Sequence, residues 1–338
     1  MNKNIVIIGG GPAGMEASYQ LQSMGYNVIM IEKSNTLGGH LSKWDRLFPN
    51  GDSAKNILSQ LTKKIVGVNY FLDTEITSIN LLDKEYNVIL SNGITVLAKA
   101  VLFTTGFDLF QAQKKEEYGY GIYDHVITNA DLEAYFKGNK ETRISDKIER
   151  IGFVHCVGSR DEKVGNMHCS KVCCATAVKQ ACEIKEKFPN AEVYCFYMDL
   201  RMFGRNYESL YLKAQKEYGI RFIRGRVSEV GEDINKKLIV KAEDTLSGKP
   251  LKVTLDLLVL MAGMKNNSDG IKIADMINIQ EDDDGFFSCK DYIYSSQESS
   301  KQGIFFAGAC TGPKTLPETF SEARAAAIEI NNYILKNN

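Results

Sequence analysis

The stretch IVIIGGGPAGMEASYQLQSMGYNVIMIEK, residues 5–33, decides the fold. Ile5 to Ile8 is a short run of β-branched residues and reads as a buried strand. Gly9, Gly11 and Gly14 follow as G-x-G-x-x-G, with Pro12 and Ala13 inside the motif. The next residues keep small or apolar side chains at Ala13, Ala17 and Leu21, which reads as a helix ending at Gly25. Val28 to Ile31 is a second strand. Strand, glycine turn, helix and strand form a βαβ unit whose first turn points backbone N–H groups and a helix N-terminus at a pyrophosphate. Glu32, eighteen residues beyond Gly14, ends the second strand, where a carboxylate accepts hydrogen bonds from both ribose hydroxyls of an adenosine. Lys33 stands beside it. Glycines that served only a tight turn and close helix packing would not need that acid, so dinucleotide binding is the reading.

The whole chain sets the bounds around this unit. At 338 residues it is long enough for two packed domains, since single cores stop growing at roughly 250 to 300 residues. Hydrophobic residues make up 44% and charged residues 25%, which is ordinary globular usage. Lys and Arg number 41 against 42 Asp and Glu, and the basic residues are scattered, so nucleic acid is not an expected partner. The opening MNKNIVIIGG holds an apolar run of only four residues, too short for a signal-peptide core or a membrane span. A cytoplasmic protein with no direct membrane insertion is expected. Its 8 cysteines then lie in a reducing compartment, where they serve metal or redox chemistry more often than disulfides.

A second alternating α/β region begins at Ile151. Ile151 to His155 reads as a strand, a helix follows Cys173 and stops before Pro189, and Glu192 to Tyr197 is a further strand. A helix from about Tyr207 to Tyr218, closed by Gly219, leads to a strand near Arg221 to Ile223. Between the two regions, Phe107 to Glu149 is polar and weakly periodic, with one short helix near Ala130 to Phe136. After the strand Leu257 to Met261 comes a long C-terminal helix, Pro317 to Leu335, opened by a capping box of Thr315 and Glu318.

Four of the cysteines fall within nineteen residues, CVGSRDEKVGNMHCSKVCC, at Cys156, Cys169, Cys173 and Cys174. Cys156 ends a strand at the carboxyl edge of the second sheet, where an open α/β domain receives its ligand. The loop after it, VGSRDEKVG, lacks the phosphate-binding glycine pattern. A nucleotide-type domain that has lost its phosphate loop and carries four thiols at that edge is best explained by metal replacing nucleotide. Zinc uses two separated C-x₂₋₄-C hooks, whereas adjacent cysteines reach different irons of a larger cubane more comfortably, which favours one 4Fe-4S cluster over zinc. Neither C-x-x-C nor C-x₄-C occurs among the four. A strained Cys173–Cys174 disulfide stays open. Cys182, Cys195, Cys289 and Cys310 read as core packing. His155 and His168 each precede a candidate ligand and could tune a cluster or replace a ligand.

Further pieces carry a resemblance. Gly38-Gly39 after the second strand, VLFTTG at 101–106 with Thr105 and Gly106, and GIFFAGAC at 303–310 resemble the two-dinucleotide-binding-domain flavoproteins of the glutathione reductase type. That implies FAD at Gly9, Gly11, Pro12, Ala13, Gly14, Glu32, Lys33, Gly39, Thr105, Gly106 and Gly308. Those flavoproteins end the last motif A-G-D, with the acid on the ribityl chain. Here Ala309 takes the acid's place, so that contact has to be made differently. The helix near Pro317 would face the flavin pyrimidine ring and favour its anionic reduced state.

FVHCVGSRDE, HCSKVCCATAVKQA, YMDLRMFG with YGIRFIRGRV, and GACTGPKTLPETFSEARAAA are together similar to the core of the A-type subunits of heterodisulfide reductase. They also resemble the flavoprotein subunits of quinone-interacting membrane-bound oxidoreductases. The resemblance implies FAD and one 4Fe-4S cluster on Cys156, Cys169, Cys173 and Cys174, with Lys179 near the reactive flavin nitrogen; the alternative for Lys179 is a solvated helix lysine. It implies an oxidoreductase subunit that relays electrons between the flavin and partner subunits of a heterodisulfide-reductase-like or quinone-linked complex. A homodimer is also expected. The ferredoxin run C-x₂-C-x₂-C-x₃-C of the full-length A-type subunits does not occur in this sequence, which counts against electron bifurcation. The competing function is a self-contained NAD(P)H-dependent flavin disulfide reductase, disfavoured by the missing second G-x-G-x-x-G. The expected fold is α/β with two Rossmann-like domains, the second adapted to an iron-sulfur cluster. The FAD-binding domain comprises 1–109 and 271–338, a linker runs over 110–148, and the inserted cysteine-bearing domain covers 149–270.

Overall fold

The computed structural model describes residues 3–139, 144, 145 and 147–337. They fold as two compact units. The first comprises the chain up to Ser42, Lys55–Asp108, and everything from Lys265 onward; the second comprises Lys43–Ala54 and Leu109–Met264.

The first unit is built on a five-stranded parallel sheet in the order Ile304–Phe306, Ala100–Phe103, Asn4–Ile8, Asn27–Ile31, Asn69–Phe71. Its strands are short apolar runs because a parallel sheet is covered on both faces and needs no polar alternation. Ile5, Val6 and Ile7 have no exposed surface, nor have Val101, Leu102 and Phe103. One face packs Val6, Ile8, Ile31 and Val101 with Phe103, Phe287 and Phe306 into a core. Helix Pro12–Ser23 lies against helix Leu316–Asn337, and both carry small buried residues, Ala13 and Ala17 on one, Ala323 and Ala327 on the other. Arg324 on the C-terminal helix donates to Glu16 Oε1 at 2.7 Å. Between Asn69–Phe71 and Ala100–Phe103 the chain makes a three-stranded antiparallel sheet, Ile76–Leu82, Glu85–Leu90 and Thr95–Ala98. Here one face is wet, so Tyr86, Val88 and Leu90 are buried in strict alternation.

The second unit repeats this plan. Its parallel sheet runs Val126–Thr128, Leu257–Ala262, Arg150–Val157, Glu192–Tyr197, Arg221–Arg224. A three-stranded antiparallel sheet, Val227–Glu232, Leu238–Asp244 and Lys249–Leu255, again intervenes before the strand that returns to the far side of the centre. In both units the first long strand is central, the next two go to one side, and the strand after the antiparallel excursion pairs on the other. Helix Cys173–Lys187 covers one sheet face with Phe153, Val259 and Met261 beneath it. The antiparallel sheet covers the other through Val154, Phe196, Leu258 and Leu260.

Two expectations change. Described residues of the segment 110–148, read from the sequence as a linker, belong to the second unit's fold: Val126 pairs with Leu258 in the sheet, and helix Asn129–Phe136 is opened by a capping box between Thr128 and Asp131. Phe110, Tyr118 and Leu132 in it are buried. The short helix expected near Ala130 to Phe136 is present, whereas the three-residue strand Val126–Thr128 before it is too short to show a period. Lys43–Ala54, placed within 1–109 by the sequence, groups with the second unit. No helix among the described residues is long and apolar enough to cross a membrane.

Candidate functional site

At the carboxyl edge of the first sheet the three motif glycines do three different jobs. Gly9 sits at φ +107°, and a Cβ there would lie 2.5 Å from the Thr104 carbonyl oxygen. Gly14 packs so closely on the strand that a Cβ would fall 2.0 Å from the Gly9 oxygen. Gly11, by contrast, caps helix Pro12–Ser23 with nothing within 4 Å of a Cβ position. Turn, helix packing and an open approach to a helix N-terminus are what a pyrophosphate cradle needs.

Glu32 is buried beside this turn. Its Oε2 accepts from the Gly10 N–H at 2.7 Å and its Oε1 from the Ser34 N–H at 2.8 Å, which fixes the carboxylate at the loop with lone pairs to spare. Gly39, at φ +51°, faces the Gly11 Cα. Thr105 lies at the end of the neighbouring strand with a buried hydroxyl that has no protein partner among the described residues. Gly106 follows at φ +72°. Lys33 is ion-paired to Asp269 on the surface. An open helix N-terminus, a fixed acid and an orphaned hydroxyl at one sheet edge fit a dinucleotide.

Gly308 and Ala309 form the turn after Ile304–Phe306, and Pro317 lies in the first turn of helix Leu316–Asn337, whose Thr315–Glu318 box is formed at 2.9 Å. Ala309 brings no acid, but a carboxylate does reach this turn. Glu322, one helical turn further on, accepts from the Gly308 N–H at 3.0 Å and pairs with Lys314 at 3.4 Å. Burial holds its carboxyl above the usual range. Cys310 beside it is fully buried and pushed up to about 12 by desolvation, which is core packing.

In the second unit the cysteines sit where the first unit holds its glycine loop. Cys156 is the penultimate residue of the central strand Arg150–Val157, at φ +58° and within a register irregularity against Leu257–Ala262. Cys173 and Cys174 open the following helix, where the dipole favours thiolate. Cys156, Cys173 and Cys174 are buried and in mutual contact, with Cys173 between the other two. Hydrogen bonding with Cys173 holds the Cys156 thiol down to about 7 and the Cys174 thiol down to about 4, while Cys173 itself is driven well up. Cys169, half-buried on the connecting loop, accepts from the Lys171 N–H at 3.3 Å.

Three thiols are thus gathered and a fourth stands on the adjoining loop. Among the described residues no three His, Cys, Asp or Glu side chains converge on a single ion. The surrounding polar atoms are underused: both ring nitrogens of buried His155, the Ser159 hydroxyl and Arg160 Nη1 make no hydrogen bond of good geometry among the described residues. Buried polar groups are rarely left so, and a sulfur-rich anionic group on these cysteines would supply acceptors. His168 spends its Nε2 on the Met264 carbonyl at 2.9 Å. Cys182 and Cys195 are buried and raised by desolvation, whereas Cys289, expected in the core, is only half-buried.

Lys179 is not a solvated lysine. It lies buried on the helix behind the double cysteine, donating to Glu133 and to the Arg46 carbonyl at 3.0 Å, and ion-paired with Glu183 at 3.1 Å. Glu133 also accepts from Gln180 at 2.8 Å and from the Asp45 N–H at 3.0 Å. Glu183 lacks such support, and burial raises it to about 7. The sequence analysis singles out neither carboxylate. Glu183 could have been found as the i+4 partner of Lys179; Glu133 comes from the segment taken for a linker.

This geometry has counterparts among known proteins. The profile of the pyridine nucleotide-disulphide oxidoreductase family matches residues 2–145. The A-type iron-sulfur subunit of CoB–CoM heterodisulfide reductase from Methanocaldococcus jannaschii is 31% identical over 424 aligned residues, covering 98% of this chain and 64% of that protein. An A-type iron-sulfur subunit of the same reductase from Methanopyrus kandleri is 32% identical, covering 95% and 63%. The chain therefore spans just under two thirds of these relatives. An alignment of 424 positions against 338 residues also means that they carry internal segments this chain lacks. Among solved structures, T. acidophilum thioredoxin reductase superposes with a TM-score of 0.68 at 16% identity, covering 100% of both chains, and shares the fold.

Proposed function

We propose that this chain, 31% identical over 98% of its length to an A-type subunit of heterodisulfide reductase, is an electron-transfer subunit of that oxidoreductase family, carrying FAD and one 4Fe-4S cluster in a heterodisulfide-reductase-like complex. One observation carries this above all. Two sheets of one topology put glycines at the carboxyl edge of the first and four cysteines at that of the second.

When bound, the flavin would trade electrons in pairs with one partner and singly with the iron-sulfur group. Gly9, Gly11 and Gly14 shape the pyrophosphate cradle and Glu32 holds the adenosine ribose. Glu322, through Gly308, brings a carboxylate to the turn where Ala309 has none. Cys156, Cys169, Cys173 and Cys174 would hold the irons, and His155, Ser159 and Arg160, whose polar atoms lack partners among the described residues, would donate to the sulfurs. Partner subunits, heterodisulfide-reductase-like or quinone-linked, would supply and remove the electrons. Eight unpaired thiols accord with a reducing, cytoplasmic setting.

The test is anaerobic purification with flavin, iron, sulfide and zinc analysis, and an electron paramagnetic resonance spectrum of the dithionite-reduced protein. We expect one FAD and about four irons per chain, with the iron lost from a Cys173→Ser/Cys174→Ser variant that keeps its flavin. Zinc or no metal in protein never exposed to oxygen would overturn the iron-sulfur part. Rapid flavin reduction by NAD(P)H would then favour a disulfide reductase.

A further inference from the structure

Among the described residues of the first unit, two buried side-chain polar atoms have no hydrogen-bond partner, the Thr105 hydroxyl and Asn266 Nδ2. Their segments are far apart in sequence, yet the fold brings them to one corner. Helix Ser268–Asp275 rests on Thr105 through Gly270, where a Cβ would fall 2.5 Å from the Thr105 hydroxyl oxygen. Asn267 caps that helix by accepting from the Gly270 N–H at 2.9 Å, and its amide donates to Asp108 at 2.8 Å. Asp108 also accepts from the N–H and the hydroxyl of Ser268, both at 2.9 Å.

Within this well-bonded corner Asn266 is the exception. Its Oδ1 accepts from the Asn267 N–H at 2.9 Å, which fixes the oxygen end of the amide. The other end carries two N–H donors with no acceptor, on a residue only 7% exposed. A donor left so is costly, and native folds rarely keep one without a use. The surroundings say what the use is. Thr105 abuts the glycine turn, since a Cβ on Gly9 would lie 3.3 Å from the Thr105 Cα. Asp269, next in the helix, is ion-paired to Lys33, the neighbour of Glu32. The corner therefore stands between the pyrophosphate turn and the ribose acid, where a dinucleotide presents phosphate and ribose oxygens.

We propose that Asn266 is a further dinucleotide-binding residue, its amide N–H groups and the Thr105 hydroxyl taking oxygens of the adenosine diphosphate portion. The inference rests on the FAD assignment above. Asn267 and Asp108 are its positioning residues, because they lock the start of the helix that follows Asn266. Recognition by this pair belongs to the half of the ligand that FAD shares with ADP.

The test uses the full-length protein stripped of flavin, with FAD and ADP as the two probes in calorimetry and circular dichroism to check the fold. Asn266→Asp keeps the size and the acceptor for the Asn267 N–H but replaces the donor with an anion. Its affinity for FAD and for ADP falls roughly ten-fold or more. Thr105→Val weakens both ligands in the same sense. Where the aspartate variant does not fold, Asn266→Ala, which buries no charge, carries the same expectation. Unchanged affinity for both ligands in the folded variants assigns the amide to a trapped water and overturns the proposal. Loss of FAD with ADP retained also overturns it, because the contact then lies on the flavin half. ADP binding that the variants lose, with FAD bound by neither they nor the wild type, keeps Asn266 in the site and sinks the flavin assignment instead. A wild type that binds neither ligand overturns both.

Discussion

Gly9 and Cys156 stand at matching places in two sheets of the same topology, each at the carboxyl end of a central strand and each with positive φ, +107° and +58°. The first is a residue for which that conformation is free. The second is an L-residue held there against a cost of about 1 kcal/mol, and a thiol is what it gains.

Cys156→Gly and Cys156→Ala both remove the sulfur, but only glycine relaxes the backbone. We expect the glycine variant to be the more stable of the two by about 1 kcal/mol in denaturant unfolding, with iron lost from both. Equal stabilities would mean that the left-handed turn is not strained.

The two glycines of the first loop separate folding from binding. Gly14→Ala drives a Cβ onto the Gly9 oxygen, so it should lower stability by about 1–3 kcal/mol as well as flavin content. Gly11→Ala meets no protein atom within 4 Å and should leave the flavin-free melting temperature unchanged while weakening FAD measurably. A Gly11→Ala protein that retains wild-type FAD affinity would remove the pyrophosphate from this position.

Glu183 supplies a pH dependence of known sign. Its folded pKa of about 7 stands above the ordinary 4.5 of a glutamate, so its contribution to stability is complete below pH 4.5 and is lost as pH rises through 7. The loss amounts to at most about 3 kcal/mol. Glu183→Gln should be no more stable than wild type at pH 4.5 and should gain on it at pH 8, as read from denaturant titrations at the two pH values.

Removing the cation from the same network is costlier. Lys179→Met leaves Glu133, which is 3% exposed, with no countercharge at hydrogen-bond distance. A loss of about 3–5 kcal/mol is expected, partly recovered in Lys179→Met/Glu133→Gln. Should Lys179→Met melt with wild type yet alter flavin spectra, the lysine's role would lie with the flavin and not with the fold.

Cys310→Ser is the control within the flavin turn. Its sulfur contacts the Phe103 and Ala307 carbonyls at 3.4 Å, bonds a hydroxyl can also make, so flavin and iron contents should match wild type.

The parallel sheets were legible because both faces are buried: four-residue apolar runs such as IVII and AVLF announce strands without any alternation to average over. The strand Glu192–Tyr197 falls where the sequence placed it, and the C-terminal helix starts one residue earlier than expected, at Leu316. The cysteine constellation was legible as a spacing, yet that Cys156, Cys173 and Cys174 touch while Cys169 stands apart depends on a loop path no periodicity encodes. Glu133 was invisible for a related reason. Its partner Lys179 is 46 residues away, and Glu133 sits on an eight-residue helix whose polar face looks like a surface. Segment Lys43–Ala54 bears only two-residue strands, Arg46–Leu47 and Asp52–Ser53, below the length at which pattern can speak.

The outermost strand of the first sheet, Ile304–Phe306, and the helix after it come from beyond the whole of the second unit. During synthesis the ribosome therefore delivers Leu109–Met264 complete while the first sheet still lacks its border and the Gly308 turn. The nascent chain can close the cysteine-bearing unit before the glycine-lined edge of the first sheet is complete, which sets an order of maturation in which the second unit folds first.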